Sequence, residues 1–159
     1  MAITSTINVD GIAGTVVCNI YLNGSILIDT LTYSNSPKQV ICSLRNTTVT
    51  LSAADFLTTL SIYTSFNNGI IASIFAPKQS VFTPFTTIHI AQTNDGINQL
   101  TWVGKQVANV VWSWAATYPS GTIIVQPRTV AITLSYSEWL YCLIDIAGFR
   151  DFVLNAYNL

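Results

Sequence analysis

Charge is what this sequence has least of. Among 159 residues there are 6 Lys and Arg, 7 Asp and Glu and one His, so 8% of the chain is charged, against about 25% in an average soluble domain. With a formal net charge of −1 and cations spread singly at Lys38, Arg45, Lys78, Lys105, Arg128 and Arg150, no basic patch exists to hold nucleic acid or anionic lipid. Disorder is excluded by the opposite trait, because 50% of the residues are hydrophobic and disordered chains combine low hydrophobicity with high charge. The single His89 rules out a multi-histidine metal centre. Three cysteines, Cys18, Cys42 and Cys142, are too few and too widely spaced for a disulfide framework or a zinc site, and their apolar neighbours suggest buried free thiols. No Gly-rich phosphate loop, Cys-x-x-Cys or Gly-x-Ser-x-Gly is present, which removes the commonest nucleotide, redox and hydrolase signatures.

Long apolar runs are missing too. The stretch 56–76 carries no charge, but Asn67-Asn68-Gly69 interrupts it, so it is expected in a core rather than in a membrane. The N-terminus has neither a basic nor an apolar region of the kind that opens a secretory signal. No linker, charge block or fixed-period repeat stands out, and the length suits one domain spanning 1–159.

What replaces charge is small neutral polarity: Thr, Ser and Asn fill 46 positions. Turn residues divide the chain into short alternating segments. Asn23-Gly24 between 15–22 and 25–33 is the pair that a two-residue type I′ hairpin requires, and it sets Leu22 opposite Ser25 and Asp29 opposite Cys18 on the apolar face. An unpaired carboxylate there is costly, which points to a bulge, a rim position or a partner for Asp29. Gln39–Leu44 and Thr48–Leu51 read as a second hairpin around Arg45-Asn46-Thr47. Further antiparallel pairs are expected around Asn94-Asp95-Gly96 and around 118–121, with Val130 to Tyr136 the last strand; 107–116 reads as a Trp-rich strand in preference to a helix with Val107, Val110, Val111 and Trp114 on one side.

Two segments have helical spacing. Ser52 with Asp55 three positions on, followed by Phe56, Leu60 and Tyr63, predicts a helix over 53–66 that stops at Asn68-Gly69, the alternative being a strand with Leu60, Ile62, Thr64 and Phe66 on one face. From Ser137 onward, Trp139, Leu140, Leu143, Ile144, Phe149, Phe152 and Tyr157 predict a C-terminal helix apolar on more than one side. The fold class is therefore α+β and β-rich: an antiparallel sheet of hairpins or a meander, one internal helix, and a C-terminal helix packed on the sheet or on a neighbouring subunit. A jelly-roll β-sandwich is the alternative.

No residue set carries chemistry. His89 lacks a nucleophile signature nearby, the acids have turn and helix-cap positions, and neither cofactor, metal nor catalytic residue is expected. Two functions of different classes remain. A chain poor in charge, without an export signal, fits a structural subunit covered by copies of itself, such as a viral coat protein facing outward in a virion, with Trp139, Leu143, Phe149, Phe152 and Tyr157 as subunit-interface residues. The layout of a meander closed by a C-terminal helix is similar to the small coats of single-stranded RNA phages, although the scarcity of Lys and Arg departs from an RNA-packaging surface and leaves only weak RNA contact inside an assembly. The other candidate is a lectin-like module that stacks sugars on Trp112 and Trp114.

Overall fold

The structure, a computed structural model, describes residues 2–74, 87–94, 99–117 and 121–157. Among them are ten strands and two helices in α+β order. β1 (Ile3–Asp10), β2 (Thr15–Leu22), β3 (Ile26–Asn35) and β4 (Lys38–Cys42) form a meander, followed by β5 (Val49–Ser52) and α1 (Ala53–Ile74). Then β6 (Ile88–Asn94), β7 (Gln99–Gln106), β8 (Asn109–Thr117) and β9 (Thr122–Val125) form a second meander, followed by β10 (Ile132–Ser135) and α2 (Tyr136–Tyr157). All pairings are antiparallel, and instead of the one sheet expected there are two, neither closed. The first runs β1-β2-β3-β4-β10 and the second β5-β9-β8-β7-β6.

The two sheets exchange strands. β5 leaves the first meander to pair with β9 of the second, and β10 leaves the second to pair with β4 of the first. This overturns the second hairpin expected over 39–44 and 48–51. The segment between β4 and β5 crosses from one sheet to the other, so β4 takes the distant β10 as its second partner beside β3, and β5 pairs with the distant β9.

The exchange exposes an internal repeat that the composition concealed. α1 and α2 are both 22 residues long and begin 83 positions apart. At the same offset Arg45, Thr50, Leu51, Ser52, Leu57, Leu60 and Phe66 recur as Arg128, Thr133, Leu134, Ser135, Leu140, Leu143 and Phe149. Backbone contacts repeat as well: Ser43 N–H donates to Thr30 O at 3.1 Å and Gln126 N–H to Ser113 O at 3.0 Å. Both register shifts recur too, leaving Ile28 and Val111 as the extra residues of two bulges 83 positions apart. At the centre Arg45 and Arg128 bridge antiparallel, N–H to carbonyl in both directions (2.9 and 3.1 Å). Reciprocal contacts between equivalent residues are those of a two-fold relation.

Local signals explain the elements. Asn23 (φ 55°) and Gly24 (φ 73°) supply the positive angles of the first hairpin, as their residue types predicted. The register differs from expectation, because Leu22 pairs with Ile26 and the bulge at Ile28 then sets Ile20 opposite Asp29 and Cys18 opposite Leu31. Ser52 Oγ accepts from the Asp55 N–H at 3.1 Å and caps α1. Ser135 and Glu138 form a reciprocal box on α2, with the Glu138 N–H donating to Ser135 Oγ (3.1 Å) and the Ser135 N–H to Glu138 Oε1 (2.8 Å). The strand expected to reach Tyr136 therefore ends at Ser135. α1 does not stop at Asn68-Gly69. Asn67 is buried, and its Oδ1 accepts from Tyr136 Oη and Trp139 Nε1, both at 3.0 Å, so a tertiary partner holds the helix through its weak point. The strand preference for 107–116 agrees with β8. The turns expected at Asp95-Gly96 and Pro119-Ser120 lie outside the described residues.

One contiguous core joins both halves. Val16, Cys18, Ile20 and Leu22 alternate inward on β2, Leu31 and Tyr33 on β3, and Trp102, Trp112 and Trp114 on β7 and β8. Phe56, Leu60, Tyr63, Phe66 and Ile70 of α1 and Trp139, Ile146, Phe149 and Val153 of α2 meet them at helical spacing. α1 packs on α2, β1, β2, β5 and β9, and α2 on β4 and β10. No helix among the described residues is long and apolar enough to cross a membrane.

Candidate functional site

A centre where several ionisable groups converge lies inside this core. The bulge at Ile28 turns Asp29 inward from β3, where the carboxylate is 2% exposed. Arg128, 1% exposed, comes from the segment between β9 and β10 and donates to Asp29 through Nη1 at 2.8 Å and Nη2 at 3.3 Å. Tyr63 Oη of α1 (2.6 Å) and Trp112 Nε1 of β8 (3.1 Å) donate to Oδ2, and the Thr30 N–H (2.9 Å) to Oδ1. Every lone-pair direction of the carboxylate is engaged, which is the condition for a buried charge. Arg128 has four of its five N–H groups engaged: besides the two bonds to Asp29, Nε donates to Val111 O (2.7 Å) and Nη1 also donates to Ser43 O (2.8 Å), and the guanidinium lies 5.6 Å from the Trp112 ring centre.

Burial pushes the Asp29 carboxyl up, but the charge and hydrogen bonds of Arg128, the Tyr63 hydroxyl and the charge of Arg45 together outweigh it and hold the group below its usual range. Tyr63 is raised well above an ordinary phenol, first by burial and then by Asp29. Burial lowers Arg45 despite the opposing pull of Asp29.

Symmetry is broken here. The position 83 residues after Asp29 is Trp112, so Arg45, the equivalent of Arg128, has no carboxylate of its own. Arg45 donates instead to Thr47 O (3.1 Å) and to Gln126 O, the counterpart of Ser43 O, and its buried Nε has no partner. The centre thus holds two guanidinium groups and one carboxylate.

Around it stands a cage of rings. Trp102 stacks on Trp114 with centroids 5.0 Å apart, Trp114 on Phe149 at 6.1 Å, and Tyr63 meets Trp112 and Trp139 edge-on at 6.0 and 6.2 Å. Trp102 Nε1 donates to Asp145 of α2 at 2.7 Å. A Cβ at Gly104 would lie 2.7 Å from the Trp102 ring, so glycine there lets the indole fold back over its own strand.

The sequence-based site residues therefore divide. Trp112 and Trp114 are 3% and 2% exposed, so the sugar-stacking platform expected on them is overturned; their faces are occupied by other rings and by Arg128. Trp139 and Phe149, expected at a subunit interface, are fully buried within the chain and are core residues. Phe152 is 49% exposed and Leu143 partly exposed on α2, while the Tyr157 side chain lies outside the described residues. His89 is exposed on β6 opposite Lys105. All three cysteines are free and buried; burial, reinforced by nearby acids, pushes the Cys18 and Cys142 thiols up to about 12, which suppresses the nucleophilic thiolate. Among the described residues no group of His, Cys, Asp and Glu has the arrangement of a metal site. Sequence reasoning flagged Asp29 as misplaced but missed Arg128, Arg45 and Tyr63 as its company. The signal was the Arg–x4–Thr-Leu-Ser pattern at 45–52 and 128–135.

A centre sealed in this way orients and ties together; it offers no atom to a substrate. Comparison with protein-family models, with curated proteins and with solved structures finds no match for this chain.

Proposed function

We propose that this protein is a non-enzymatic structural subunit that assembles with copies of itself, and that it serves as a coat-forming protein. The observation that carries this is the chemistry of its two outward sheet faces. Across the first sheet runs the row Asn8, Val17, Thr32, Ile41 and Thr133, and across the second the row Thr93, Thr101, Ala115, Ile124 and Thr50. Neither row carries a charge, and Thr32, Ile41 and Thr133 have Ala115, Ile124 and Thr50 as their counterparts 83 positions away. Surfaces meant to stay in water as monomers carry mixed charge, whereas surfaces covered by neighbours are depleted of it. Two of the six cations, Arg45 and Arg128, are consumed inside the core, which leaves little for RNA to bind. Apolar side chains of α2 that stand out, Ile144 and Phe152, support the same reading.

Light scattering on size-separated protein, with electron microscopy of the largest species, tests the proposal. Shells, tubes or filaments are the expected product, with an ultraviolet ratio of protein rather than of nucleoprotein. A species that stays at one chain up to millimolar concentration would overturn it.

A further inference from the structure

Among the described residues four strand edges terminate the two sheets, and they differ in kind. The inner edges, β10 and β5, are four residues each and meet the crossing segments that join at the Arg45–Arg128 bridge. The outer edges are β1, eight residues, and β6, seven. Proteins blunt long edges with lysine, proline, bulges or shortness, because an edge strand presents alternate unpaired N–H and C=O groups to any passing chain. None of these devices occurs here. β1 carries its one charge at the terminal Asp10, β6 carries none, and neither strand holds a lysine or a proline. The pairings of β1 with β2 and of β6 with β7 keep an unbroken register, both bulges lying one hairpin further in. Thr4, Ser5, Thr6, Asn8 and Val9 are exposed, as are His89, Ala91, Gln92 and Thr93.

The chain also displays the chemistry of edge addition within itself. Its two halves are held together by each adding a strand to the other's sheet, β10 onto β4 and β5 onto β9. The outer edges are the remaining equivalent pair in this repeat.

Building on the self-assembly reading above, we propose that β1 and β6 are the two primary contacts of the assembly, each pairing with the same edge of a second copy so that every chain is bivalent, and that the uncharged faces are covered only between sheets already extended in this way. Strands paired about a two-fold axis run antiparallel and extend the sheets without a break. The middle of Ile3–Val9 is Thr6 and that of Ile88–Asn94 is Ala91, so these residues lie at the dyads.

Lysine pairs test this edge by edge. Ser5→Lys with Thr6→Lys places like charges across a β1–β1 contact, and Ala91→Lys with Gln92→Lys does so at β6. By sedimentation velocity the unaltered protein grows beyond two copies, either edge variant stops at two, and the combined variant remains at one with an unchanged far-ultraviolet spectrum. A combined variant that grows to full size would overturn the edge assignment while leaving self-assembly standing; unaltered protein that never leaves one copy would remove both. If lysine unfolds the chain, single cysteines read the same contacts: with oxidised glutathione, Thr6→Cys and Ala91→Cys give covalent dimers that dithiothreitol dissolves, and Ser61→Cys on the exposed side of α1 does not. Equal cross-linking of all three would overturn the assignment.

Discussion

Arg45 and Arg128 are joined main chain to main chain in both directions, yet only Arg128 has a carboxylate. The two arginines occupy equivalent places in a duplicated framework, and Asp29 binds one because the site that would serve the other is filled by Trp112. A buried ion pair offsets its desolvation only when additional hydrogen bonds satisfy its remaining donors and acceptors, and Tyr63, Trp112, Thr30, Val111 and Ser43 supply them to the Asp29–Arg128 pair.

Removing one member is therefore far worse than removing both. Asp29→Ala, which strands the Arg128 guanidinium in the core, is expected to cost about 3–5 kcal/mol in urea unfolding. The pair Asp29→Leu with Arg128→Met is expected to recover most of that loss. A loss below about 1 kcal/mol from Asp29→Ala would show that water reaches the centre.

Acid should act through the same carboxylate. Its folded-state pKa is depressed, so its contribution is fully present above the unfolded value of about 3.9 and is lost as pH falls through the lower folded value. Unfolding midpoints should thus hold down to about pH 4 and fall below it, and the acid limb should flatten in the variant lacking both Asp29 and Arg128.

Alkali acts through the buried thiols. Cys18 and Cys142 are raised to about 12 by burial and neighbouring acids, so the stability they contribute is complete below the unfolded thiol value of about 8.5 and declines as pH rises toward 12. Replacing both with alanine should weaken this decline between pH 9 and 11. Equal alkaline limbs for both proteins would assign it to other groups, such as Tyr63.

Two phenylalanines on α2 separate core from surface. Phe149 is fully buried and Phe152 is 49% exposed. Phe149→Ala should cost about 3–5 kcal/mol, whereas Phe152→Asp should leave the melting temperature nearly unchanged.

Gly104 should tolerate no methyl group. A Cβ there would meet the Trp102 ring at 2.7 and 2.8 Å, so Gly104→Ala must displace an indole that stacks on Trp114. The expected loss is about 1–3 kcal/mol, with an altered near-ultraviolet circular dichroism signal.

What was legible in the sequence was what local chemistry decides. Asn23-Gly24 announced a turn, Ser52 with Asp55 announced one helix start, and the apolar spacing from Ser137 onward announced the second helix. Registers, pairings and endings were set from far away. The bulge at Ile28 shifted a hairpin that its turn had specified, the partners of Asn67 on α2 carried α1 past a stop signal, and β5 passed over its neighbour in sequence to reach β9. β1 escaped notice because only Ile3 and Ile7 are partly buried among outward Thr, Ser and Asn. For the centre, the misfit of Asp29 was visible from alternation alone, whereas its partners come from three separate elements.

The strand exchange has a consequence for how the chain comes apart. Each meander is completed by a strand belonging to the other, so a break in the backbone between α1 and β6 would leave two polypeptides that still clasp one another through β5, β10 and the shared aromatic interior. Neither piece would have a finished sheet alone, and the pair would behave as a complementing split protein whose two fragments become whole only in each other's company.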